Sequence, residues 1–283
     1  MSARLRGIAR ETEEFVTAGW YRAPGGRRVD IGGATASARE GTALFGPWPV
    51  PLPPLDHGTP GGAPAREVPA FEVTGESSTA AARRLVTGGG GAVAVLNFAS
   101  ARNPGGGYLN GARAQEEALC RASALHTCLL RVPEFYAAHR ADPDPFYSDR
   151  VIHSPGVPVF RDDKGALLPE PFAAGFLTSA APNAGVIARR APERVGEVPG
   201  ALRSRAARVL EVAAAAGYRR LVLGAWGCGV FRNDPAHVAE AFREPLGAGG
   251  AFARRFDHVV FAVLDRREPS PTRRAFADAF GAG

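Results

Sequence analysis

The stretch that decides the fold begins Ala92-Val93-Ala94-Val95-Leu96-Asn97-Phe98, continues Ala99-Ser100-Ala101-Arg102-Asn103-Pro104-Gly105-Gly106-Gly107, and after seven intervening residues reaches Gln115-Glu116-Glu117. The first part follows the glycines at 88–91 and is an apolar run of strand length, as a strand buried on both faces requires. The second is a loop with three consecutive glycines. The third opens a helix expected over about 115–130. A buried strand, a glycine loop and a helix in succession form the working unit of an α/β sheet, whose ligands bind at the carboxyl ends of the strands.

The same alternation extends outward. Strands are expected at 69–74, 151–153, 157–160, 176–180, 220–225 and 257–264, with a turn from Asp162 to Gly165. Helices are expected at 80–85 after Ser77-Ser78-Thr79, at 202–216 before Gly217, and at 235–242. The fold class is therefore α/β, a sheet covered by helices on both faces. Residues 1–22 read as a helix with Leu5, Ile8, Ala9, Phe15 and Trp20 on one side. Residues 45–66 are crowded with Pro and Gly and are expected to be irregular and superficial. The chain divides into an N-terminal helical extension, 1–67, and a main α/β body, 68–283.

Composition excludes several classes. Cys120, Cys128 and Cys228 have no Cys-x-x-Cys spacing and no clustered histidines, which argues against a zinc site, and their odd number argues against a disulfide framework. The N-terminus lacks the apolar core of a signal peptide, and no apolar run approaches the ~20 residues that cross a bilayer. A cytoplasmic protein without membrane contact is expected. The formal charge is +6, and Lys164 is the only lysine, so the positive charge is almost all arginine. Arginine suits phosphate, but a GC-rich genome enriches arginine equally well, and charge alone does not decide the ligand.

Two strand-end loops can carry chemistry. The glycines at 105–107 leave backbone amides unshielded. Gly224-Ala225-Trp226-Gly227-Cys228-Gly229-Val230-Phe231 also follows a buried strand and precedes a helix, where amides can hold a diphosphate. Glycine clusters also serve as plain turns. Neither loop is a P-loop or a dinucleotide-binding fingerprint. The acidic pair Glu116-Glu117 can simply oppose the dipole of its helix. Its functional reading is glycoside cleavage, in which a carboxylic acid protonates the leaving oxygen. Successive helical residues point about 100° apart, so the two acids can have different tasks.

The spacing of Gly105-Gly106-Gly107 to Gln115-Glu116-Glu117 resembles the signature of bacterial-type poly(ADP-ribose) glycohydrolases. Asn97-Phe98-Ala99-Ser100 and Gly227-Cys228-Gly229-Val230-Phe231 resemble the two ligand loops of macrodomains. Ser154-Pro155-Gly156-Val157 and Ala180-Ala181-Pro182-Asn183 are similar to stretches of the bacterial branch. The likeness spans roughly 68–265. It implies a macrodomain-like mixed sheet and hydrolysis of ribose–ribose bonds in poly(ADP-ribose), from the chain end. Glu117 would be the acid/base and Glu116 would position ribose hydroxyls. Asn97, Asn103, Gly105, Gly106, Gly107, Gln115, Gly227, Cys228, Gly229, Val230 and Phe231 would bind ADP-ribose, with Phe231 on the distal ribose. Ser100 stands where many macrodomain hydrolases have a catalytic asparagine, which shifts the weight to the acidic pair. His126 reads as a packed or surface residue. Neither a metal nor an organic cofactor is implied. The partners would be poly(ADP-ribose) or ADP-ribosylated proteins, with ADP-ribose as product and no direct nucleic-acid binding. An ADP-ribose reader without turnover and a hydrolase of mono-ADP-ribosylated side chains share the fold and remain alternatives.

Overall fold

The computed structural model describes residues 2–55 and 67–281. Helix α1 (Ala3–Ala18) is capped by the Ser2 hydroxyl and stops at Gly19, whose φ of 77° gives the left-handed C-terminal turn. Trp20 therefore lies beyond the helix, in β1 (Trp20–Arg22), which pairs with β2 (Arg28–Asp30) as a separate hairpin. Next come α2 (Gly32–Glu40), β3 (Ala43–Phe45), β4 (Ala70–Thr74), α3 (Ser78–Thr87) and β5 (Val93–Phe98). The acidic pair opens α4 (Gln115–Ala122), followed by α5 (Leu125–Leu129), α6 (Pro133–Ala141), β6 (Val151–Arg161) and β7 (Leu167–Ser179). The chain ends with α7 (Ala184–Arg190), α8 (Val198–Ala215), β8 (Arg220–Leu223), α9 (Pro235–Leu246), β9 (His258–Ala262) and α10 (Pro271–Phe280).

Seven strands form one mixed sheet in the order β3-β6-β7-β5-β8-β9-β4. The run from β7 to β4 is parallel, while β6 and β3 are antiparallel additions at one edge. β5 lies between β7 and β8, so both of its faces must be apolar. Val93 and Val95 join one core cluster and Ala94 and Leu96 the other. Alternating side chains thus feed two helical layers. The first layer holds residues of α1, α3, α4 and α5, and the second holds residues of α8, α9 and α10.

Several expectations change in the structure. The expected helix over 115–130 is two helices. Ser123 has an extended backbone and bridges to Val159, its hydroxyl donates to the Leu119 carbonyl at 2.7 Å, and it accepts from the Leu125 N–H. That side chain satisfies both broken helix ends. The two strands expected at 151–160 form one, with an irregular register between Ser154 and Val157. The strand expected at 176–180 is the end of the longer β7.

The N-terminal stretch is built into the same layers as the body. β3 pairs with β6, the Tyr21 hydroxyl donates to the Leu168 carbonyl at 2.8 Å, and Thr42 bonds Ser154. Residues 46–55 have no regular structure, and the remainder of the Pro/Gly segment lies outside the described residues.

At Gly175 of β7 an added Cβ would lie 2.0 Å from the Tyr218 hydroxyl, which itself bonds His153 at 3.0 Å. Gly175→Ala is expected to lower the unfolding free energy by about 1–3 kcal/mol through overpacking. A urea midpoint equal to that of the wild type would show that Tyr218 swings aside without cost.

Candidate active site

The two glycine loops leave the carboxyl ends of neighbouring strands, β5 and β8. At β5 the chain turns through Gly105 and Gly106, both left-handed with φ of 66° and 58°. A Cβ at Gly106 would meet Glu117 Oε1 at 2.6 Å and Glu116 Oε2 at 3.2 Å, so the loop backbone lies directly against both carboxyls. Only glycine combines that conformation with that approach.

The two acids are held differently. Glu116 is 2% exposed. Its Oε2 accepts the Ser100 N–H at 2.7 Å and its Oε1 accepts the Asn97 amide at 3.3 Å. Burial pushes its carboxyl up to about 8, and the charge of Glu117 adds to the rise against the pull of the Ser100 and Asn97 donors. Glu117 Oε1 accepts the Gly107 N–H at 2.9 Å. Its Oε2 is buried and has no hydrogen-bond partner. Both stand in the first turn of α4, where the helix dipole favours negative charge.

The second loop is braced from beneath. Buried Trp226 donates its indole N–H to the Ser179 carbonyl at 3.0 Å, and Asn233 donates to the Pro182 carbonyl at 2.9 Å. Gly227, with φ of 72°, packs so tightly that a Cβ would meet the Asn233 amide at 2.3 Å. The Phe231 carbonyl accepts the Gly185 N–H at 2.9 Å, and its ring lies 6.0 Å from that of Tyr147. Gly229 would place a Cβ in open space, and Val230 is 80% exposed. Cys228 is half-buried, and burial pushes its thiol up to about 12, so it is not a reactive thiolate.

Some of the expected ligand residues face inward. Asn97 is fully buried and joins Glu116 to Thr178 of β7. Gln115 donates to the Leu96 carbonyl and the Ser78 hydroxyl and accepts the Phe98 N–H, so its amide ties the end of β5 to α3. These two residues set the acids in place from behind. Asn103 contributes its backbone: its carbonyl accepts the Gly106 N–H at 3.0 Å. Ser100 serves Glu116 through a main-chain amide, which any residue but proline would supply at that position. Sequence reasoning missed Tyr108, His126, Trp226 and Asn233, which support the loops. The Trp226 signal was present, since an indole beside a glycine loop must find an acceptor when buried.

The family model described as microbial-type PARG, catalytic domain, matches residues 9–162, more than half the chain. The chain belongs to the microbial-type poly(ADP-ribose) glycohydrolases. A crystal structure of poly(ADP-ribose) glycohydrolase from Thermomonospora curvata is 50% identical, covers 99% of this chain and 100% of its own, and superposes with a TM-score of 0.89. The same organism's enzyme bound to the inhibitor ADP-HPD has the same identity and coverage, with a TM-score of 0.88. The enzyme from Deinococcus radiodurans in complex with ADP-ribose is 45% identical, covering 89% of this chain and 98% of its own at a TM-score of 0.76. No curated protein sequence matches this chain. As in the family, the sheet is mixed and macrodomain-like, and a helical segment precedes it.

If the acidic pair carries the chemistry, Gly106→Ala is expected to cut turnover by about two orders of magnitude, because its Cβ displaces the carboxyls and a shift of roughly an ångström in reacting groups has that effect. Turnover near wild type in a folded variant would show that the loop yields without moving Glu117. The raised Glu116 also makes a pH prediction. The folded protein keeps the Glu116 proton up to about 8, whereas the unfolded chain releases it near 4.5. The folded state binds more protons in that window, so this group's contribution to stability falls as pH rises from 4.5 to 8. Glu116→Gln removes the titration, and its melting temperature relative to wild type should climb across the window. A constant difference from pH 5 to 8 would contradict the burial of a protonated acid there.

Proposed function

We propose that Glu117 is the acid/base that cleaves the ribose–ribose bond of poly(ADP-ribose). The observation that carries this reading is its unpartnered, buried Oε2, on a carboxyl whose other oxygen is fixed by the Gly107 amide. A buried polar atom needs a partner, and beside a glycine loop this one supports a reading in which a substrate atom supplies it. Protonated Glu117 gives its proton to the 2′-oxygen of the adenosine ribose as the bond from that oxygen to the anomeric carbon breaks. The departing electron pair stays on the oxygen, and the terminal ribose becomes oxocarbenium-like. Glu117, now ionised, takes a proton from the water that adds to the anomeric carbon, and the acid is restored. Glu116, buried and protonated near neutrality, can donate to a ribose hydroxyl and orient the sugar. The Gly106 N–H is held by the Asn103 carbonyl, the Gly107 N–H by Glu117 and the Cys228 N–H by the Ala225 carbonyl, so the diphosphate is taken up by the amides of Gly229 to Phe231 on the second loop.

We further propose cleavage from the chain end. Phe231 would pack on the terminal ribose. Its ring rests on Tyr147, and Tyr147 and the adjoining Arg232 have φ of 60° and 57°, the two non-glycine residues with positive φ among the described residues. Strain of this kind persists where the surrounding structure fixes a functional position. A wall built by these residues would leave room for a terminal unit and not for a continuing chain. No helix among the described residues is long and apolar enough to cross a membrane, and the three cysteines are free. Free thiols suit the reducing cytoplasm in which we place the protein.

Glu117→Gln is expected to lower polymer hydrolysis by about two to four orders of magnitude while calorimetry shows ADP-ribose still bound. Released ADP-ribose at near-normal rate would remove Glu117 from the role. With the wild-type protein, monomeric ADP-ribose should dominate the first products on long polymer. Early oligomers would mean internal cutting, and binding with no product at all would mean a reader module. Rapid stripping of mono-ADP-ribosylated protein would favour a side-chain hydrolase.

A further inference from the structure

The first helix of the chain lies against the back of the catalytic loop. Glu13 on α1 uses one oxygen, Oε1, twice: it accepts the Tyr108 hydroxyl at 3.0 Å and lies 3.1 Å from His126 Nδ1. Tyr108 and His126 are buried, with ring centroids 5.0 Å apart. Together they form the seat of the glycine loop. A Cβ at Gly105 would lie 3.0 Å from His126 Cδ2 and 3.6 Å from Tyr108 Cβ, so the loop backbone rests on both residues. Tyr108 directly follows Gly107, whose N–H holds Glu117. Burial alone would raise the Glu13 carboxyl. The hydrogen bond and charge of His126, with the Tyr108 hydrogen bond, outweigh it, so the group sits below the usual carboxylate range and is ionised. The same turn of α1 reaches the catalytic helix: the Thr12 hydroxyl donates to the Arg121 carbonyl at 3.0 Å, and the Tyr108 hydroxyl also lies 3.1 Å from the Ala9 carbonyl.

We infer that Glu13 is a positioning residue for hydrolysis, fixing Tyr108 and His126 through a single carboxylate oxygen and, through them, the Gly105–Gly107 loop that aims Glu117. The inference rests on the reading of Glu117 as the acid/base. Neither α1 nor His126 touches the reacting atoms, so their effect must travel through the loop. A small displacement there costs rate steeply, on the order of a hundredfold for about 1 Å.

The test measures kcat and KM on poly(ADP-ribose) for Glu13→Ala, Glu13→Gln, Tyr108→Phe and the Glu13→Ala/Tyr108→Phe pair. All are assayed well below their melting temperatures, with Glu117→Gln beside them. Glu13→Ala and Tyr108→Phe should each lower kcat about tenfold or more. The pair should be little worse than Glu13→Ala alone, because both act through one contact. Glu13→Gln keeps an acceptor at the same place and should return kcat to within about threefold of wild type. A purely structural brace would lower the melting temperature and leave kcat per folded molecule unchanged, and that result would overturn the inference. So would additive effects in the pair, or a Glu13→Gln variant as slow as Glu13→Ala. If Glu13→Ala does not fold, wild-type kcat in Tyr108→Phe is sufficient to overturn it. Turnover surviving in Glu117→Gln would instead overturn the assignment of the acid. An inactive Glu117→Gln with an unaffected Glu13→Ala overturns the positioning role alone.

Discussion

The site depends on main-chain amides meeting two buried carboxyls. Ser100 N–H and Gly107 N–H belong to the loop after β5, and the acids belong to the first turn of α4. Neither partner could be buried alone. An amide left without an acceptor loses free energy comparable to a lost hydrogen bond, and an uncompensated carboxylate loses far more. Closing the loop over the helix start solves both problems, and it fixes the acids more firmly than side-chain partners could, since amide directions are set by the backbone. The glycines follow from this arrangement, because any Cβ at Gly106 would enter the space the carboxyls occupy.

Two adjacent acids under one loop cannot behave alike, and the structure separates them by what they touch. Glu116 is enclosed, with both oxygens engaged, and is pushed toward the neutral form. Glu117 has one oxygen engaged and one without a partner. The proposed acid/base role falls on the carboxyl that keeps an oxygen free. The polar contacts thus divide the pair before any substrate is considered, and the division agrees with the 100° turn between successive helical residues.

The strand–loop–helix unit was legible because its signals are local. β5 is an uninterrupted apolar run, the glycines are contiguous, and Glu116-Glu117 follow at helical onset. What was not legible depends on partners far away in sequence. Gln115 reads as a ligand residue from its motif, yet its amide is used by Leu96, Phe98 and Ser78. The break between α4 and α5 is set by Val159 and Pro158, so no pattern within 115–130 announces it. His126 looked like ordinary packing because Glu13 and Tyr108 are separated from it in the chain and meet only in the fold. β3 has three residues and acquires its identity from β6. The extension before residue 46 showed an apolar side on its first helix but not what that side meets: Ala9, Tyr21, Ala23, Val29, Ile31 and Ala38 enter the first core layer, and β3 pairs with β6.

Glycines in the two loops fall into two physical classes, and the difference bears on where a ligand must lie. Gly105, Gly106, Gly107 and Gly227 each have protein atoms within 3.0 Å of where a Cβ would stand, so any larger residue there must displace its neighbours. Gly229 has no such neighbour and no left-handed φ, so nothing inside the protein demands a glycine at that point. Replacing it by a larger residue should stabilise the chain slightly, because glycine carries the greatest entropy loss on folding. A glycine that the fold does not need, placed between Cys228 and the exposed Val230 on a loop braced by Trp226 and Asn233, agrees with the proposed diphosphate site, because a ligand taking up backbone N–H groups needs an approach that no side chain blocks.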